Sequence, residues 1–81
     1  MILSENEKMT VDLHDMQLEE AKYYLEKAID TALPEIKEIT VIHGYHKGQV
    51  LLNMVRKEFK HERVIEKVVP YNNGTTLLYL K

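Results

Sequence analysis

The chain has 81 residues, 30% of them charged, with a formal net charge of −2 at neutral pH and no cysteine. That length holds one domain with a thin core, burying roughly 60–65% of the surface its unfolded form exposes. Disulfides, thiolate metal sites and cysteine nucleophiles are excluded, and no stretch approaches the roughly 18 uncharged apolar residues of a membrane helix.

Residues 1–8 are polar, without a clear period, and are expected to form a flexible lead-in to a single domain at 9–81. They lack the apolar run of a signal peptide, so a cytoplasmic location and no membrane partner are the default expectation. From Met9 to His14 apolar and polar residues alternate, which predicts a strand. Leu18, Ala21, Leu25, Ala28, Ile29 and Ala32 then recur at spacings of three and four, which predicts a helix. Glu19 and Glu20 suit its first turn, and Pro34 stops it, because the residue before proline is pushed out of helical geometry. Gln17 is a poor cap, and Asp15 a better one if the helix begins earlier.

Ile36 to Ile42 predicts a second strand, whose β-branched run Ile39-Thr40-Val41-Ile42 suggests a strand buried on both sides or central in the sheet. After Gly48 a second helix carries Val50, Leu51, Met54, Val55 and Phe59 inward. Val64-Ile65 and Val68-Val69 predict a third strand ended by Pro70. Asn72-Asn73-Gly74 is a turn signal before a last strand, Thr75 to Leu80. The order β-α-β-α-β-β predicts an α/β two-layer sandwich, a four-stranded mixed sheet with parallel crossovers and two helices on one face. A thin core with open strand edges fits a monomer or a weak homodimer.

Asp12 and His14 are two apart on a strand, so both side chains leave the same face at its carboxyl end, where α/β sheets bind ligands. A carboxylate beside an imidazole suits a general acid or base. The same residues also fit a loop cap and a polar edge position. His43-Gly44-Tyr45-His46-Lys47-Gly48 joins a strand to a helix, where backbone N–H groups cradle anions and Lys47 reaches a phosphate. Tyr45 suits stacking on a base, or anchoring its own loop. If the first two strands are parallel, His14 and His43 face one crevice, an arrangement suited to phosphodiester cleavage. Asp12, His14, His43 and His46 are also a donor set for a divalent cation, so metal-dependent and metal-free chemistry both stay open.

Residues 1–46 hold four Lys/Arg and ten Asp/Glu; residues 47–81 hold seven and three. Arg56, Lys57, Lys60, Arg63 and Lys67 therefore form a moderate stripe for tracking phosphates, interrupted by Glu58, Glu62 and Glu66. His61 is expected at the surface, and Tyr23, Tyr24, Tyr71 and Tyr79 are read as structural.

Asp12-Leu13-His14 resembles the Leu-Asp-Leu-His-Gly motif of the Smr (small MutS-related) family, and His43-Gly44 with Gly48 resembles its His-Gly-x-Gly-x-Gly motif. Glu19-Glu20-Ala21 and Asn73-Gly74 resemble its first helix and closing segment, so the likeness spans about residues 9–80. Asp15 and His46 stand where the two motifs have glycine. The resemblance implies a sandwich similar to the C-terminal domain of bacterial translation initiation factor three. It implies endonuclease or nicking activity on RNA or DNA, with the ribosome a candidate partner. Asp12, His14 and His43 are then the catalytic candidates. Gly44 and Gly48 shape a nucleic-acid-binding loop, to which Tyr45, His46, Lys47, Arg56 and Lys57 are added as contacts. The alternative is a nucleic-acid or ribosome-binding module that does not cut.

Overall fold

The computed structural model describes residues 2–5 (backbone only), 7–44 and 49–81. Tyr45, His46, Lys47 and Gly48, expected to contact nucleic acid, lie outside the described residues. The elements are β1 (Ile2–Glu5), β2 (Lys8–Asp12), α1 (Leu18–Thr31), β3 (Glu38–Ile42), α2 (Val50–Asn53), β4 (Val64–Val68) and β5 (Thr75–Leu80). A π-helical turn, Met54–Glu58, continues α2 directly.

The mixed sheet runs β1-β2-β3-β5-β4. β2 and β3 are parallel, with Val11 opposite Val41 and Asp12 opposite Ile42. β5 lies antiparallel to both β3 and β4. The four strands and two helical segments expected from periodicity are present. The residues read as a lead-in add one element, β1, antiparallel to β2 with Leu3 opposite Thr10. Short and without alternation, it gives no period for a sequence to reveal.

Among the described residues, helices cover only one face of the sheet. Met9, Val11 and Leu13, Ile39 and Val41, and Leu78 and Leu80 point inward against Ala21, Leu25, Ala28 and Ile29 of α1. The period of two in the strands and of 3.6 in the helix thus meet in one core. Met54, Val55 and Phe59 complete it. On the other face Thr10, Thr40, Ile42, Leu77 and Tyr79 are only half-buried. β3 is central, as its β-branched run predicts, yet covered on one side alone. No described helix is long and apolar enough to cross a membrane.

The basic stripe is largely consumed inside the fold. Arg63 donates to the carbonyls of Ala32 (3.0 Å) and Ile36 (3.1 Å), tying the end of α1 to β4. The Lys67 ammonium donates to the Val55 and Phe59 carbonyls at 2.9 and 2.5 Å, closing the π-helical turn. Its burial pushes the ammonium pKa down, and Lys60 nearby adds to this. His61, expected at the surface, is a half-buried staple. Its Nδ1 accepts from the Arg63 N–H (3.1 Å), so its Nε2–H donates to Asp30 at 2.7 Å.

Candidate active site at the carboxyl rim of the sheet

β2 ends at Asp12 and the chain turns at once. Met16 N–H donates to the Leu13 carbonyl (3.1 Å), closing a four-residue turn with His14 and Asp15 at its centre. Asp15 has φ 68°. A positive φ at the third turn position favours glycine, and Asp and Asn are the side-chain-bearing residues that tolerate it best. The position where the related motif has glycine therefore keeps a glycine-like backbone. It also gains a carboxylate, whose Oδ2 lies 3.8 Å from His14 Nε2.

The turn folds His14 back over Asp12. The Asp12 Oδ1 accepts from the His14 backbone N–H (3.1 Å) and from its ring Nδ1–H. Nδ1 is thereby held as the donor, which directs Nε2 outward. The Asp12 hydrogen bond and charge raise the imidazole pKa above its ordinary value, with a further contribution from Asp15. Partial burial pushes the Asp12 carboxyl up, but its hydrogen bonds and ion pairing with His14 outweigh this and hold it below its usual value. His14 is exposed on the rim and Asp12 is half-buried, and each is shifted towards its charged form.

His43 sits one strand away at the same end, yet in a different environment. It continues the inward series Ile39, Val41, His43 and is only 3% exposed. The Gly44 carbonyl can only accept, so His43 Nδ1–H must donate to it (2.9 Å). Nε2 lies 2.9 Å from Thr76 Oγ1. That hydroxyl accepts from Arg56 Nε–H at 2.8 Å and so gives its own hydrogen to His43. Burial first, and the Arg56 charge, push the His43 pKa down. The ring is a neutral, doubly bonded strut. The crevice expected to be shared by His14 and His43 exists, but His43 enters it with both nitrogens already engaged.

Arg56 is likewise turned inward. Besides Thr76, it donates to the Thr75 carbonyl through Nη2 (2.8 Å), so it secures β5 instead of reaching out to phosphates. Lys57 stays exposed on the π-helical turn. Gly44 has φ 71°, and a Cβ there would lie 3.6 Å from His14 Cβ. Its N–H donates to the Gly74 carbonyl (3.0 Å), so it shapes the rim without offering that amide to an anion. Thr76 went unnoticed in the sequence, because only the β3–β5 register brings it to His43.

A cavity of about 710 Å3 opens at this rim. Met16, Leu18, Ile42, Val50 and Leu51 form its apolar wall, and Asp12, His14, Asp15, His43, Asn72 and Thr75 its polar border. Among the described residues no lysine or arginine lines it. Nor, among the described residues, do three His, Asp or Glu side chains converge as cation ligands. Tyr71, read as structural, projects fully into solvent beside Asn72.

The chain was compared with known proteins. The Smr domain family model matches residues 11–81. Endonuclease MutS2 of Lactococcus lactis subsp. cremoris (strain MG1363) is 36% identical over 80 residues, covering 91% of this chain. The Finegoldia magna (strain ATCC 29328 / DSM 20472 / WAL 2508) protein of the same name is 32% identical over the same extent. The chain spans only 10% of the length of these relatives. The crystal structure of the Smr domain of Thermus thermophilus MutS2 superposes with a TM-score of 0.69 at 22% identity, covering 89% of this chain and 96% of that one. The fold is therefore that of this solved domain, and with its family model matched over nearly its whole length, the chain belongs to the Smr domain family.

Proposed function

We propose that this chain is an endonuclease domain that cleaves phosphodiester bonds in RNA or DNA, with His14 as the acid and Asp12 as its orienting partner. The observation that carries this reading is the Asp12–His14 pair at the end of β2, with Nδ1 held by Asp12 and the His14 side chain on the cavity border. The relatives named as endonucleases support it.

The chemistry follows from the geometry. An oxygen nucleophile, water or a ribose hydroxyl, attacks phosphorus and loses its proton to solvent. The bond to the leaving oxygen breaks, and His14 Nε2–H supplies the proton that oxygen needs. Asp12 stabilises the imidazolium and fixes the ring. His43 is a positioning residue: through Thr76, Arg56 and Gly44 it holds β3, β5 and the rim together. Mixing purified chain with labelled RNA and DNA tests this. His14→Ala should lower cleavage by about 10²–10⁴-fold while leaving the melting temperature nearly unchanged. Undiminished cleavage by the variant sinks the assignment.

One observation favours a second reading, binding without cleavage. The Asp15 carboxylate near Nε2 opposes the approach of a phosphate. On that reading both proteins bind nucleic acid with salt-sensitive affinity and neither yields product.

A further inference from the structure

The cavity border raises a question that the proton chemistry does not answer. A site built to hold a phosphate by charge would present lysine or arginine, yet among the described residues none lines the cavity, and two carboxylates, Asp12 and Asp15, stand at its edge. On the described border positive charge falls to His14, since His43 is pushed towards its neutral form, and His14 is set against those two carboxylates. Among the described residues, what remains to attract a nucleotide is the apolar wall, whose five aliphatic side chains come from the turn after β2, the start of α1, the end of β3 and α2. At about 710 Å3 the space lies in the range of roughly 300–1,000 Å3 that small-ligand pockets occupy. Gln17 and Asn72 each place an amide on the same border, Asn72 with its Oδ1 already accepting from the Gly74 N–H (2.5 Å) and its NH2 group a donor.

We infer that this cavity is a base pocket: it takes one unpaired, unstacked nucleobase against Met16, Leu18, Ile42, Val50 and Leu51, with Asn72 at the base edge, and so directs the Asp12–His14 pair to single-stranded segments. A base inside a duplex cannot enter, because its faces are stacked and its edge is paired. Extracting it costs a few kcal/mol, least where the nucleotide is already unpaired. An apolar pocket bordered by two amides, those of Gln17 and Asn72, discriminates by accessibility more than by base identity. The inference rests on the cleavage reading for its placement beside His14, but not for binding itself.

The test uses the full chain and labelled single-stranded RNA and DNA, the matching blunt duplexes, and single strands carrying an abasic nucleotide at each position in turn. Binding is measured with His14→Ala and cleavage with the unsubstituted chain. Val50 is exposed, so Val50→Ser should melt like the unsubstituted chain; Asn72 Oδ1 accepts from the Gly74 N–H, so Asn72→Ala gives up that turn hydrogen bond and is assayed at temperatures where it stays folded. Single strands are expected to bind at least about tenfold tighter than duplex, and one abasic position to lose about tenfold. The double variant should raise KM about tenfold while kcat changes little. Duplex and abasic strands handled as well as intact single strands overturn the base pocket and leave cleavage standing. Base-dependent binding without any product keeps the pocket and overturns cleavage. No binding to any strand overturns both.

Discussion

His14 and His43 stand at the same ends of two adjacent parallel strands, and they do opposite things. His14 follows Asp12 on the uncovered side of the sheet, keeps one nitrogen outward and is pushed towards its charged form. His43 follows Val41 on the core side, spends both nitrogens inside the protein and is pushed towards its neutral form. The difference begins with strand parity. Each residue step along a strand reverses the side-chain direction, which sets Asp12 and Val41 on opposite faces; the turn after β2 then folds His14 over Asp12, while His43 continues the inward series.

The comparison breaks most visibly in stability. His43→Ala removes a buried ring, leaves the Gly44 carbonyl without the ring N–H, and leaves the Thr76 hydroxyl hydrogen without its acceptor while Arg56 still donates to that oxygen. A loss of about 2–3 kcal/mol is expected, read as a lower midpoint in urea unfolding. His14→Ala, at an exposed site, should shift the midpoint little. If the two variants unfold alike, the division into donor and strut is wrong. Its cleavage counterpart separates them again: His43→Ala should retain activity at temperatures where it stays folded, and His14→Ala should not.

Much of this contrast can be read before any coordinates. Alternation from Met9 to His14 places Asp12 and His14 on one face, and the helical spacing of Leu18 to Ala32 places α1 beside β2. The same alternation contains the fate of His43, since Ile39 and Val41 precede it at steps of two. What periodicity lacks is partner identity. Arg56 and His43 meet at Thr76 only because β3 and β5 pair in a particular register. Arg63 and Lys67 read as surface charge until the carbonyls they satisfy are in place, and those belong to segments far away in sequence. The π-helical turn at Met54–Glu58 has no pattern distinct from an α-helix.

A second way to sharpen the contrast is to remove the Asp12 charge. Asp12→Asn deletes the principal stabiliser of the His14 imidazolium, so the His14 pKa should fall towards or below its ordinary value, visible in NMR titration of the ring. The sign follows from the raised folded-state pKa. The stabilisation that the Asp12–His14 interaction gives the fold is present while the histidine is protonated. It is lost as pH rises through the folded-state pKa. With His14 as the acid, cleavage declines over that same rise, and in Asp12→Asn the decline moves to lower pH. His43 should not respond in either protein. A His14 pKa that stays put in Asp12→Asn contradicts the hydrogen-bonded pair.

The smallest expected effect is also the cleanest in design. Asp15→Asn keeps the size of the side chain and a residue type that accepts φ near +68°, so the turn that aims His14 is preserved. The charge 3.8 Å from Nε2 is lost. Because that carboxylate favours the imidazolium, the His14 pKa should fall, but by less than in Asp12→Asn, where a direct hydrogen bond goes as well. The same charge repels a phosphate, so nucleic-acid affinity should rise modestly, about twofold to fivefold at low salt, with the gain fading as salt screens it. Asp15→Gly should match Asp15→Asn in affinity, since both remove the charge while tolerating the backbone. A gain from glycine but none from asparagine would assign the effect to the shape of the turn, and Nε2 would then not be the atom that meets the substrate under the influence of Asp15.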